Sequence, residues 1–263
     1  MAHSVSIPLD VASDAHRDGG QSPHSRSARP RSFLLSHVYA CVVDEGMMFL
    51  NARTRRYQSL SKRHLPALEQ ILEGLNFSGS AEPDERMSAE LNTALQSQGL
   101  LTGDASLGKA FTPIQLPPID IERSYQERFR RPRIRVWDAV RFAWACFKAL
   151  WVLGLCSLEW IVRDLTLAPS AGRPRAAEGA DLDAQEVAAR FRSLGRFFVS
   201  SKDRCLYFAL ALMYFMRLYG QYPTFVIGIR SSPFCPHSWV QDGTVVFDLR
   251  PERLSHYTPI VVI

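Results

Sequence analysis

The sequence has no C-x-x-C pair and no His/Cys cluster at metal-ligand spacing, which removes a zinc site from the expected chemistry. It has no P-loop and no G-x-G-x-x-G fingerprint, so neither nucleotide phosphates nor a dinucleotide find their usual cradle. No G-x-S-x-G elbow surrounds Ser200, Ser201 or Ser238, which sets serine hydrolase chemistry aside. Cysteines are few, odd in number and irregularly spaced: Cys41, Cys146, Cys156, Cys205 and Cys235. That pattern excludes a disulfide scaffold and fits a reducing, cytoplasmic compartment. Residues 1–32 lack the continuous apolar stretch of a secretory signal. No membrane span is expected either. Residues 136–165 are apolar and aromatic, but Arg141, Lys148 and Glu159 interrupt them at intervals shorter than the ~20 residues a bilayer core needs. A buried helix, or a helix pair breaking near Gly154, is the expectation there, with a membrane-surface or partner-docking helix as the functional alternative. No metal and no cofactor is implied, and the arginines come without a nucleic-acid motif.

What is present is a chain able to bury a core: 263 residues, 46% apolar and 22% charged. The net charge of +5 is mild and local. Arg17, Arg26, Arg29 and Arg31 lie in the first segment, and "RFRRPRIR" (128–135) carries five more arginines. Four segments follow from composition. Residues 1–32 read as a disordered basic tail. Residues 33–102 read as a small recognition domain. There "VYACVV" (38–43), "MMFLN" (47–51) and "RRYQSL" (55–60) are strands, and two helices begin after Ser61 and near Glu85. Residues 103–133, with "TPIQLPPID" and the arginine run, read as a linker. Residues 134–263 open with helices, continue through the nearly all-apolar "CLYFALALMYFMRLYG" (205–220), and close with strands at 223–230, 237–241 and 244–249. The fold class is therefore α+β.

The chemistry concentrates at three residues. Cys205 opens the apolar helix, where unpaired backbone N–H groups and the helix dipole favour a thiolate. His237 begins one strand and Asp248 ends the next, across "DG" (242–243). Counting outward from an Asp242–Gly243 turn sets His237 opposite Asp248, about 5 Å apart at Cβ. An imidazole and a carboxylate so placed complete a nucleophile–base–orienter set. A cysteine before an apolar helix, a histidine at a strand start and an aspartate at a strand end each have ordinary structural uses. Their joint placement is what points to hydrolase or acyltransferase chemistry. The first domain carries no chemistry of its own. Its small sheet offers an edge that can take an extended peptide as one more strand, along Arg55, Arg56, Tyr57, Gln58 and Ser59.

"RCLYFALALMYFMRLYG", "FVIGIRSSPFCPHSWVQ" and "GTVVFDL" resemble the lasso-peptide leader peptidase (B protein) family. The fused form of that family joins a winged-helix-like leader-recognition element to a transglutaminase-like, papain-like cysteine peptidase domain. The resemblance implies that Cys205, His237 and Asp248 form the catalytic triad. It implies that the substrate is the leader segment of a ribosomally made lasso precursor. It also implies a partner, an asparagine-synthetase-like, ATP-dependent cyclase that closes the macrolactam after the leader is removed. Gln241 stands where that family commonly has an acidic residue. A transglutaminase-type acyltransferase with the same triad, and a non-catalytic leader-binding chaperone, are the alternatives.

Overall fold

The computed structural model describes residues 4–6, 31–76, 85–128, 132–167, 183–195, 205–247 and 251–263. These form two compact units, chiefly residues 3–51 with 56–113, and residues 52–55 with 114–263. Helices and antiparallel strands are mixed in both, giving the expected α+β class.

In the first unit, β1 (Ser4–Ser6), β3 (Val38–Val43), β4 (Gly46–Asn51) and β5 (Arg56–Ser61) make one sheet in the order β1-β5-β4-β3. β3, β4 and β5 pair antiparallel with neighbours in sequence, as short turns dictate. A second small sheet joins β2 (Phe33–Leu35) to β6 (Leu101–Thr102) and β7 (Gly108–Lys109). Two helices, α1 (Leu65–Ile71) and α2 (Glu85–Ser97), pack together. Their apolar faces (Leu65, Leu68, Leu91 and Leu95) close a core with Phe49 and Leu60 from the sheet. Ser61 does not cap α1. It ends β5 and leads into the 3-10 turn Lys62–His64, and Pro66 then sits in the first turn of the helix.

Two expectations about boundaries need correction. Residues 103–133 are not a free linker: β7 adds to the first unit's sheet, Phe111 is buried in its core, and Ile114 onward belongs to the second unit. The proline-rich composition hid the apolar contacts of Phe111, Leu116 and Ile119. Within the expected disordered tail, Ser4–Ser6 is a strand paired with β5, while residues 7–30 lie outside the described residues.

The second unit begins with α3 (Ile121–Arg128), α4 (Val136–Leu155) and α5 (Leu158–Leu167). The break between α4 and α5 falls at Cys156 and Ser157 rather than at Gly154, because the Ser157 hydroxyl accepts the Trp160 N–H and starts a new helix. α6 (Ala184–Gly195) is capped by Asp183, whose Oδ1 accepts the Gln185 N–H at 3.2 Å. α7 (Cys205–Arg217) is buried from Ala209 to Met216, as its all-round apolar sequence requires. It packs on α4 and on β9 (Cys235–Asp242) of a sheet ordered β10-β9-β8-β11. There β8 is Thr224–Arg230, β10 is Val245–Val246 and β11 is Thr258–Val262. The buried ion pair Arg190–Asp138, N···O 3.4 Å, ties α6 to α4, and the Tyr219 hydroxyl donates to the same carboxylate.

Candidate active site

Cys205 is the first residue of α7, and His237 lies in β9, the strand on which α7 packs. Helix end and strand therefore bring the two side chains together, and they hydrogen-bond. The local reason is plain. The apolar sides of α7 seat it on the sheet, and this fixes its N-terminus over the start of β9. Burial raises the pKa of the Cys205 thiol. The His237 hydrogen bond and charge, together with the backbone amides of Ser238 and Leu206, outweigh that and leave it below the ordinary cysteine value. The site thus holds a half-buried sulfur beside an imidazole, with two main-chain donors at hand for negative charge.

His237 is fixed by its neighbours. Its ring lies 6.2 Å from that of Trp239, nearly parallel at 22°, and 5.4 Å from that of Tyr257. Gly228 faces His237 across the β8–β9 ladder. A Cβ on Gly228 would come within 2.7 Å of the Trp239 ring, so only glycine lets the indole lie there. The Trp239 Nε1 donates to Gln241 Oε1 at 2.9 Å, and the Gln241 amide donates to the Gly243 carbonyl at 3.2 Å. A carboxylate at 241 could accept from the indole but could not make the second bond.

Tyr257 was not singled out from the sequence. Its hydroxyl donates to the Cys235 sulfur at 3.5 Å. Burial, then Cys235, push its pKa up to about 12, with a smaller contribution from Cys205. The only sequence signal for it is its place immediately before the last strand, which returns beside β8. A cleft of about 370 Å³ runs between Trp239, Tyr257 and the extended segment around Leu116 to Ile119, but neither Cys205 nor His237 lines it.

The hairpin count requires correction. The observed register is Val245 opposite Asp242 and Val246 opposite Gln241, with the Phe247 N–H donating to Val240. The turn is therefore Gly243–Thr244, not Asp242–Gly243. Gly243, at φ +56°, takes the first central position, where a primed turn calls for glycine. This shifts the ladder by two residues, so a direct His237–Asp248 facing pair does not follow from it. Asp248 itself lies outside the described residues.

Arg56, Tyr57, Gln58 and Ser59 of the first unit lie on β5, while Arg55, which belongs to the second unit, precedes it in the turn at φ +56°. The Arg55 guanidinium donates to the carbonyls of Leu153 and Cys156 at the end of α4. Tyr57 is buried, and Gln58 bonds Gln98 at 3.2 Å. One edge of β5 pairs with β4, and the other pairs in parallel with β1, Ser4 opposite Tyr57 through Ser6 opposite Ser59.

Residues 143–262 match the transglutaminase-like superfamily. That stretch, from within α4 to β11, contains both Cys205 and His237. The chain therefore carries a transglutaminase-like domain, a type whose activities are cysteine peptidase or acyl transfer. Comparison with curated proteins and with solved structures found no significant match. Among the described residues, no helix is long and apolar enough to cross a membrane.

Proposed function

We propose that the chain is a cysteine peptidase that removes the leader from a ribosomally made lasso precursor, ahead of ring closure by an ATP-dependent, asparagine-synthetase-like cyclase. The observation that carries the chemistry is the Cys205–His237 hydrogen bond at the head of α7. The Cys205 thiolate attacks the carbonyl of the last leader residue. The Ser238 and Leu206 amides, which lie against the sulfur, are placed to share the developing negative charge. His237 then gives a proton to the leaving amine, which becomes the free N-terminus of the core. Water, deprotonated by His237, releases the leader from sulfur. We assign the orientation of His237 to Asp248, on the residue types and their order in the chain.

The first unit supplies recognition in this reading. Its β5 edge already holds β1 as a parallel strand, which supports the reading that an extended segment is received there. Holding the leader on the same chain as the nucleophile raises the local concentration of the scissile bond. The test is the mass of the products when the precursor of the same biosynthetic system is incubated with the protein and an added primary amine. Two free fragments mean hydrolysis, whereas a leader–amine conjugate means acyl transfer. Cleavage that survives Cys205→Ala, with leader binding still required, would assign the chain to delivery rather than catalysis.

A further inference from the structure

α4 is apolar on both faces: Phe142, Ala145, Ala149 and Val152 are buried, and a second apolar stripe faces outward. Its three charged residues turn toward the protein. Asp138 is buried against Arg190, the Arg141 guanidinium lies 4.6 Å from the centre of the Tyr219 ring, and the Lys148 ammonium lies 4.2 Å from that of Tyr214 and 4.0 Å from Asp164. Every exposed position from 136 to 155 is Val, Trp, Ala, Phe, Leu or Gly. Trp137 is 70% exposed, Phe147 67%, Trp151 51% and Trp144 47%. The three tryptophans recur every seven residues and so fall on one stripe of a helix about 30 Å long. A surface helix normally shows the opposite pattern, and a continuous apolar face of this kind marks a contact surface.

The charges beside the stripe indicate what covers it. Exposed Arg133 and Arg135 directly precede the helix, at the end of the five-arginine run, and exposed Arg163 follows on α5 one turn after the exposed Trp160. The half-buried carboxylate of Glu159 on α5 is bound by Arg53 at 2.7 Å. Indole rings and arginines side by side are what the headgroup region of an anionic bilayer takes. The rings sit at the level of the glycerol backbone and the guanidinium groups meet lipid phosphates. We propose that α4 lies flat on an anionic lipid surface, with its Trp137–Trp144–Trp151 stripe inserted to headgroup depth and Arg133 and Arg135 on the phosphates. The helix is held on the protein by its inward charges, so docking requires no refolding and no spanning segment.

The experiment is co-sedimentation of the full-length protein with vesicles of phosphatidylglycerol and phosphatidylethanolamine, against vesicles of phosphatidylcholine alone. Sedimentation velocity of the protein without lipid is run in parallel. The wild type should partition onto the anionic vesicles and largely leave them in high salt. Trp144→Gln/Trp151→Gln should weaken binding by at least about tenfold, because bound area is lost. Arg133→Gln/Arg135→Gln should weaken it by about thirtyfold, as expected for two basic residues near the surface. Brominated lipid should quench the wild-type tryptophan fluorescence, a reading that depends on no variant. Absence of both partition and quenching overturns the proposal. So does a concentration-dependent dimer that the tryptophan variant abolishes, which would give the face to a second copy of the chain.

Discussion

The Cys205 sulfur and the His237 imidazole share a hydrogen bond although 32 residues separate them, because α7 starts where β9 starts. Their pairing has a pH signature. With the thiol pKa below its ordinary value, the thiolate persists at pH values where other cysteines are protonated. Alkylation of Cys205 by iodoacetamide, followed by peptide mass mapping against Cys146, whose thiol burial pushes up, should therefore have its midpoint at the lower pH. His237→Ala removes two of the groups that lower the pKa, the hydrogen bond and the charge, and leaves burial in place. The Cys205 midpoint should then move upward.

His237→Ala should also reduce leader removal by about 100- to 10,000-fold, the range for loss of a general acid–base. The rate is measured on precursor at saturating concentration. Leader affinity, measured by fluorescence anisotropy of a labelled leader peptide, should be unchanged, because β5 is untouched.

Gly228→Ala places a methyl group 2.7 Å from the Trp239 ring and 3.1 Å from the Tyr257 Cβ, and both rings flank His237. The indole must move. A loss of about 1–3 kcal/mol in urea unfolding is expected from the overpacking, with a fall in kcat from the displaced imidazole.

Asp138→Ala removes one of the two carboxylates that face the buried Arg190 guanidinium and leaves it Glu186 at 3.4 Å on its own helix. It should cost about 1–3 kcal/mol by the same measurement, less than for a buried charge left with no partner, because Glu186 remains. Replacing both partners with apolar residues should recover much of that loss.

Ser4–Ser6 occupies the β5 edge on which the leader is proposed to bind. Removing residues 2–7 should therefore raise leader affinity in the anisotropy assay, since no internal strand has to be displaced. A fall would mean that the strand helps to form the site.

The α+β class, the strands of the first sheet and the apolar α7 were legible in the sequence because each rests on local periodicity. So was the position of Cys205 at the head of α7, because a helix start is a local feature with a local electrostatic consequence. The hairpin register was not. "QDGT" admits a turn at Asp242–Gly243 or at Gly243–Thr244, and the choice, worth two residues along the ladder, is not fixed by the local sequence. Tyr257 was missed because the fold of β11 beside β8 brings it to His237 from across the sheet. The outward face of α4 was legible only as the alternative to a buried helix. Composition shows that residues 136–155 are apolar, but only the positions of Asp138, Arg141 and Lys148 against their partners show that the few charges turn inward and leave an uninterrupted apolar outer face.

The most direct test of the account is rapid acid quench of the protein mixed with its precursor, followed by peptide mapping. The account predicts the leader mass attached as a thioester to Cys205, rising before free leader accumulates and absent in Cys205→Ala. Leader release with no acyl group on Cys205, at an undiminished rate in that variant, would contradict it.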